Sequence, residues 1–185
     1  MSMPKDDIHY TYNDYYSWND GKRLELIDGV PYTVPPAPNQ FHQEILVELS
    51  GQFREYLKGK SAKVFITPFD VRLNPKGKDD TVVQPDLIVV SDMSKLDGKC
   101  CRGNPDLIVE ITSPATNKKD TTKKFNKYMQ SDVKEYWVVY PETNSVQVFI
   151  LKDGLYYAKS YSDDDKVPVE VLPGLEIDLY DVFNG

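Results

Sequence analysis

Two apolar stretches, each opened by Pro-Asp, constrain this chain more than anything else in it: Gln84-Pro85-Asp86-Leu87-Ile88-Val89-Val90 and Pro105-Asp106-Leu107-Ile108-Val109-Glu110-Ile111-Thr112. Runs of leucine and β-branched residues without alternation are what strands buried on both faces show, and a proline at the start removes no ladder donor. The pair is therefore expected side by side at the centre of a sheet. Glu110 is the anomaly, because an ionised carboxylate out of water is costly unless positive charge meets it. Side chains alternate along a strand, so Asp106, Ile108, Glu110 and Thr112 share one face and Leu107, Val109 and Ile111 the other. With neighbouring strands about 4.8 Å apart, Asp86 and Glu110 could bring their carboxylates to one divalent cation. The plainer alternative makes Asp86 and Asp106 polar strand openers and pairs Glu110 with a lysine.

The stretch from Asn117 to Met129 is rich in lysine and reads as a helix. At about 100° per residue, Thr121, Phe125, Tyr128 and Met129 form the buried stripe. Lys124 falls about 90° from the centre of that stripe and can lean over the sheet toward the two carboxylates, whereas Lys123 and Lys127 point away. These two, with Lys118 and Lys119, read as a solvated basic face. Asp120 stands one helical turn before Lys124, a spacing at which the two could pair.

The order of these residues carries a resemblance. Pro85-Asp86 followed by Glu110-Ile111-Thr112 is similar to the PD-(D/E)XK motif of the restriction-endonuclease-like superfamily, with Thr112 where the motif has lysine. More specifically, the two strands, then Asp120, Lys124, Tyr128 and Glu135-Tyr136-Trp137-Val138-Val139 resemble the Uma-type family of predicted restriction endonucleases. The likeness extends upstream to Tyr10-Thr11-Tyr12, Tyr15, Glu25-Leu26-Ile27-Asp28-Gly29 and His42. It implies an α/β (α+β) fold, a restriction-endonuclease-like mixed β-sheet flanked by helices, with an N-terminal hairpin and a C-terminal antiparallel meander. It also implies Asp86 and Glu110 as metal ligands, and Lys124 as a lysine moved from strand to helix.

Composition bounds the rest. At 185 residues and 40% hydrophobic content the chain can bury a full core, and one domain over 1–185 is the simplest count. No apolar run approaches membrane-spanning length, and Met1-Ser2-Met3-Pro4-Lys5 lacks the apolar segment of a signal peptide, so a cytoplasmic protein without a membrane partner is expected. Cys100 and Cys101 are adjacent in a polar stretch, which neither staples a fold nor completes a zinc site. A net charge of −7 argues against nonspecific coating of nucleic acid, although a local basic strip can still meet phosphate.

Along the chain, Thr11 and Asp14 predict a capped short helix. Leu24–Ile27 and Val30–Val34 flank Asp28-Gly29 as a hairpin, since Asp-Gly supplies residues that tolerate positive φ. By parity Glu25 faces opposite to Leu24 and Leu26, and either joins the acids as an extra carboxylate or faces water. After the Pro35–Pro38 connector, Phe41 to Lys58-Gly59 is an amphipathic helix with a glycine stop. His42 in its first turn could orient a phosphate or a water, or merely pack. Lys63 to Leu73 reads as one long strand, Ser91 to Asn104 as a surface loop, Glu135 to Tyr140 as a third apolar strand, and the remainder as a meander ending near a half-turn of helix.

The function expected is Mg2+- or Mn2+-dependent endonucleolytic cleavage of DNA. Asp86 and Glu110 would hold the metal, with Lys124 and Glu25 completing the catalytic set and His42, Thr112 and Lys127 as further substrate contacts; a homodimer is a possible assembly. The alternative is an inactive nuclease-fold scaffold that binds DNA or a protein partner, favoured by Thr112 and the acidic balance.

Overall fold

A computed structural model describes residues 8–18, 23–34, 39–74, 76–113 and 120–185, with the side chains of Asp120 and Thr121 excepted. The proline connector at 35–38, the helix start at Asn117, Lys118 and Lys119, and the Asp120–Lys124 pair lie outside what is described. The strands are β1 (Leu24–Ile27), β2 (Val30–Thr33), β3 (Lys63–Ile66), β4 (Asp70–Arg72), β5 (Val82–Val83), β6 (Leu87–Val90) and β7 (Cys100–Arg102). They continue with β8 (Leu107–Ile111), β9 (Glu135–Tyr140), β10 (Ser145–Lys152), β11 (Leu155–Ser162), β12 (Lys166–Pro168) and β13 (Glu176–Asp178). The α-helices are α1 (Tyr12–Ser17), α2 (Gln40–Leu57), α3 (Phe125–Gln130) and α4 (Leu179–Asn184), and a π-helical turn, Asp120–Lys124, leads into α3.

The larger sheet has six strands in the order β11-β10-β9-β8-β6-β3, antiparallel except for the parallel pair β8 and β9. The two Pro-Asp strands, β6 and β8, are hydrogen-bonded neighbours in its interior. Alternation then divides their side chains. Leu87, Val89, Leu107, Val109 and Ile111 pack beneath α2 and α4, while Ile88, Val90 and Ile108 face the layer that holds α3 and the smaller sheet. That smaller sheet, β2-β1-β5-β4-β7, carries the N-terminal hairpin. Its turn has φ of 53° at Asp28 and 74° at Gly29, the two positive values a two-residue hairpin turn requires. At Gly29 a Cβ would stand 2.4 Å from the His9 ring, so a side chain there would have to displace His9.

Helix α2 is held at its start by Asn39, whose Oδ1 accepts the His42 N–H at 2.9 Å, and is followed by Gly59 at φ 77°. Its buried face, Ile45, Leu46, Leu49, Phe53 and Leu57, follows the predicted spacing. At α1 the Thr11 N–H donates to the Asp14 carboxylate, the predicted cap. The C-terminal meander is present as β9, β10 and β11, and the tail is the helix α4.

Two local expectations differ from the structure. Lys63 to Leu73 is broken at Pro68, so β3 borders the larger sheet and β4 joins the smaller one; a proline has no N–H with which to continue the ladder. The stretch from Ser91 to Asn104 is not loop throughout, because β7 pairs in parallel with β4 and buries both Cys100 and Cys101.

Candidate active site

The register of β6 and β8 sets the site. Leu87 pairs with Val109, so one step further Asp86 stands across from Glu110 with its side chain on the same face. Residues directly opposite on antiparallel strands have Cβ atoms about 5 Å apart. The Asp86 carboxylate also replaces a ladder bond: its Oδ2 accepts the Ile111 N–H at 2.7 Å. His42 Nε2, from the first turn of α2, lies 3.5 Å from the same oxygen. His42 is buried, and its Nδ1 has no hydrogen-bond partner among the described residues.

Glu110 receives its positive charge from the helix. Lys124 Nζ lies 3.0 Å from Glu110 Oε1 and 2.9 Å from Glu25 Oε1. Tyr128, one turn later and hence on the same helical face, donates its hydroxyl to Glu110 Oε1 at 2.6 Å. Burial, with Glu110 alongside, pushes the Tyr128 phenol well above its ordinary pKa. The side chains of Glu25, Glu110 and Lys124 are 10%, 7% and 6% exposed, against 16% for that of Asp86. The cluster is thus closed on the Lys124 side and open at Asp86.

Glu25 arrives because the hairpin turns its odd-numbered face inward. Of the two alternatives left by parity, the structure has the carboxylate inside the cluster, where its Oε1 also accepts the Gln84 N–H at 2.8 Å. Gln84 in turn donates its side-chain amide to Asp70 Oδ1 at 2.8 Å, an oxygen that also accepts the Tyr15 hydroxyl at 3.0 Å.

The other candidates sit differently. Thr112 donates its hydroxyl to the Val139 carbonyl at 3.0 Å and so ties β8 to β9. Lys127 pairs with Asp28 in the hairpin turn, and Lys123 donates to the Tyr32 hydroxyl at 2.8 Å. The face read as solvated therefore fastens the hairpin to the helix, a long-range use that helical arithmetic cannot show. Asp106 is a structural acid. Burial acts to raise its pKa, but Lys134 and the Ser91 N–H hold it below the usual carboxylate range. Tyr128 and Gln84 were not singled out as site residues by sequence reasoning; the i, i+4 spacing from Lys124 could have flagged the first, while the second depends on a contact spanning 59 positions. Among the described residues no three acid, imidazole or thiol groups stand close enough to enclose an ion by themselves.

Comparison with known proteins agrees with this architecture. The model of the Uma2 family, described as "Putative restriction endonuclease", matches residues 11–180. The chain belongs to this family. The match runs from α1 through the start of α4 and so takes in Glu25, Asp86, Glu110 and Lys124. Among solved structures, a "putative nuclease belonging to DUF820" from Anabaena variabilis shares the fold, with a TM-score of 0.76 at 20% identity over 94% of this chain and 97% of that one. No curated protein matches. No helix among the described residues is long and apolar enough to cross a membrane.

Proposed function

We propose that this Uma2-family chain is a metal-dependent endonuclease that hydrolyses phosphodiester bonds in DNA, with its centre at Asp86 and Glu110. The observation that carries the reading is the pairing of β6 with β8, which sets two acids face to face within a sheet interior. Among the described residues the site sets Glu25 and Glu110 against the ammonium of Lys124, while Asp86 meets His42 and the Ile111 N–H. The donors are carboxylate oxygens with one imidazole and no thiolate, a set suited to Mg2+ or Mn2+. Two protein carboxylates with water and a substrate phosphate make an ordinary Mg2+ shell.

When bound, such an ion polarises the scissile phosphate and lowers the pKa of a coordinated water. Asp86 and Glu110 would hold it, the first carboxylate being fixed by the Ile111 N–H and the second by Tyr128. Lys124 stabilises charge developing on the phosphate oxygens, or assists removal of the proton from the attacking water. Glu25 keeps that ammonium in position, and His42 steadies Asp86 rather than touching substrate.

Asp86→Ala and Glu110→Ala are expected to abolish Mg2+-dependent cleavage of plasmid DNA while the circular dichroism spectrum stays unchanged. Cleavage persisting in both variants would overturn the assignment. One observation favours the rival, an inactive scaffold: Lys124 bridges two of the acids as a structural ion pair would. Calorimetric titration with Mn2+ separates the two, because a scaffold with its acids locked on Lys124 gives no saturable heat.

A further inference from the structure

A cavity of about 280 Å3 opens beside the acid cluster, lined by Tyr15, Tyr16, Trp18, Arg23, Leu24 and Gln84. It shares a wall with the candidate active site, because the backbone N–H of Gln84 caps Glu25 while its side chain forms part of the cavity. Arg23 precedes β1 and shares the strand face of Glu25, two residues or about 7 Å away along the chain.

The cavity is built rather than incidental. The Arg23 guanidinium is held along one edge: Nη2 donates to Gln84 Oε1 at 2.9 Å and to Thr67 Oγ1 at 2.8 Å, and Nε donates to the same Gln84 oxygen at 3.1 Å. The Tyr15 hydroxyl is fixed on Asp70. Tyr16 nonetheless keeps 58% of its surface in water, and Lys99 donates to its hydroxyl at 2.9 Å. Arg23 and Lys99 thus bring two cationic groups to these aromatic rings. Cationic groups combined with aromatic platforms are how single-stranded nucleic acid is held.

We infer that this cavity takes an unpaired nucleobase of the DNA strand being cut, stacked on Tyr16 and Trp18 with a flanking phosphate on Arg23. The substrate is accordingly single-stranded or locally opened, since a base can stack on a protein ring only once it has left the stack of its duplex. The inference rests on the nuclease reading above and specifies its substrate.

The chain provides its own reporter. Of its two tryptophans, Trp137 is fully buried, so Trp18 is the one a stacked base can quench. Wild-type protein in EDTA is titrated with a single-stranded oligothymidine and, separately, with a duplex of the same length. Saturable quenching by the single strand alone is expected. Its apparent Kd should rise at least roughly fivefold in Tyr16→Ala, the lower end of what one base–aromatic stack contributes, and also rise in Arg23→Gln. Absence of quenching, equal quenching by the duplex, or a Kd unmoved by both substitutions would overturn the inference. Cleavage of single-stranded circular DNA and of plasmid by wild type in Mg2+ is scored independently: cleavage of either without quenching defeats the cavity inference and leaves the nuclease reading standing. Quenching that behaves as expected, without cleavage, supports the cavity and defeats the nuclease reading.

Discussion

Replacing Lys124 with methionine keeps the aliphatic stem and removes only the charge, leaving Glu25 and Glu110 buried without the ammonium now 2.9 and 3.0 Å away. Removing one partner of a buried ion pair costs about 3 to 5 kcal/mol, because the remaining charge is left uncompensated in a poorly solvated place. At about 2.1 cal/mol/K of unfolding entropy per residue, 185 residues carry roughly 0.4 kcal/mol/K. The expected fall in Tm in EDTA is therefore about 8 to 13 °C, measured by differential scanning calorimetry. Neutralising the orphaned acids as well, in Lys124→Met/Glu25→Gln/Glu110→Gln, should restore at least half of the loss, since two uncompensated charges are removed. In the same variant an ion that binds the folded state regains stability as RT ln(1 + [L]/Kd), so Mg2+ should raise Tm more in Lys124→Met than in wild type. A Tm within about 2 °C of wild type would show that the ammonium does not hold these acids ionised, and the electrostatic account of the site would fail.

Other consequences can be checked more simply. Glu135 is buried on the opposite face of the sheet, accepting from Trp137 Nε1 and the Val171 N–H, and burial raises its pKa from 4.5 to about 7. The folded chain thus holds this proton more tightly than the unfolded one. Its contribution favours folding fully below about pH 4.5 and declines as pH rises to about 7, by roughly 3 kcal/mol. Urea unfolding of Glu135→Gln should lack that decline; an identical slope in variant and wild type would refute it. Cys100 and Cys101 are buried, and burial pushes the Cys101 thiol up to about 12. Ellman's reagent should accordingly react with neither thiol until the chain unfolds, and a fast reaction in native buffer would contradict this packing. The Lys127–Asp28 pair is partly solvated, so Asp28→Asn, which keeps a residue tolerant of the positive φ, should cost less than about 1 kcal/mol, and a larger loss by urea titration would mean that the hairpin depends on the pair.

The parts of the fold legible in the sequence are those whose signal is local. Continuous apolar runs gave β6 and β8, helical spacing gave α2 with its glycine stop, and Asp-Gly gave the hairpin. The acids of the site were legible for the same reason, since a glutamate within such a run needs a partner. Glu25 shows the limit: strand parity gave its facing but not its burial, which depends on Gln84 and Lys124 arriving from elsewhere in the chain. Lys63 to Leu73 shows another: Pro68 marks where the strand can break, but which sheet each half joins is decided by pairing with β6 on one side and with β5 and β7 on the other. Lys123 and Lys127 resemble any solvated lysines until Tyr32 and Asp28 are brought against them. In each case the missing information is a contact between distant segments, which local propensity does not encode.

The central claim is that Asp86 and Glu110 share a divalent cation. Crystals soaked in Mn2+ and measured near the manganese edge test it directly. An anomalous peak bonded to a carboxylate oxygen of each residue is the predicted result. Density at full Mn2+ occupancy elsewhere on the chain, with none between these two acids, would contradict it.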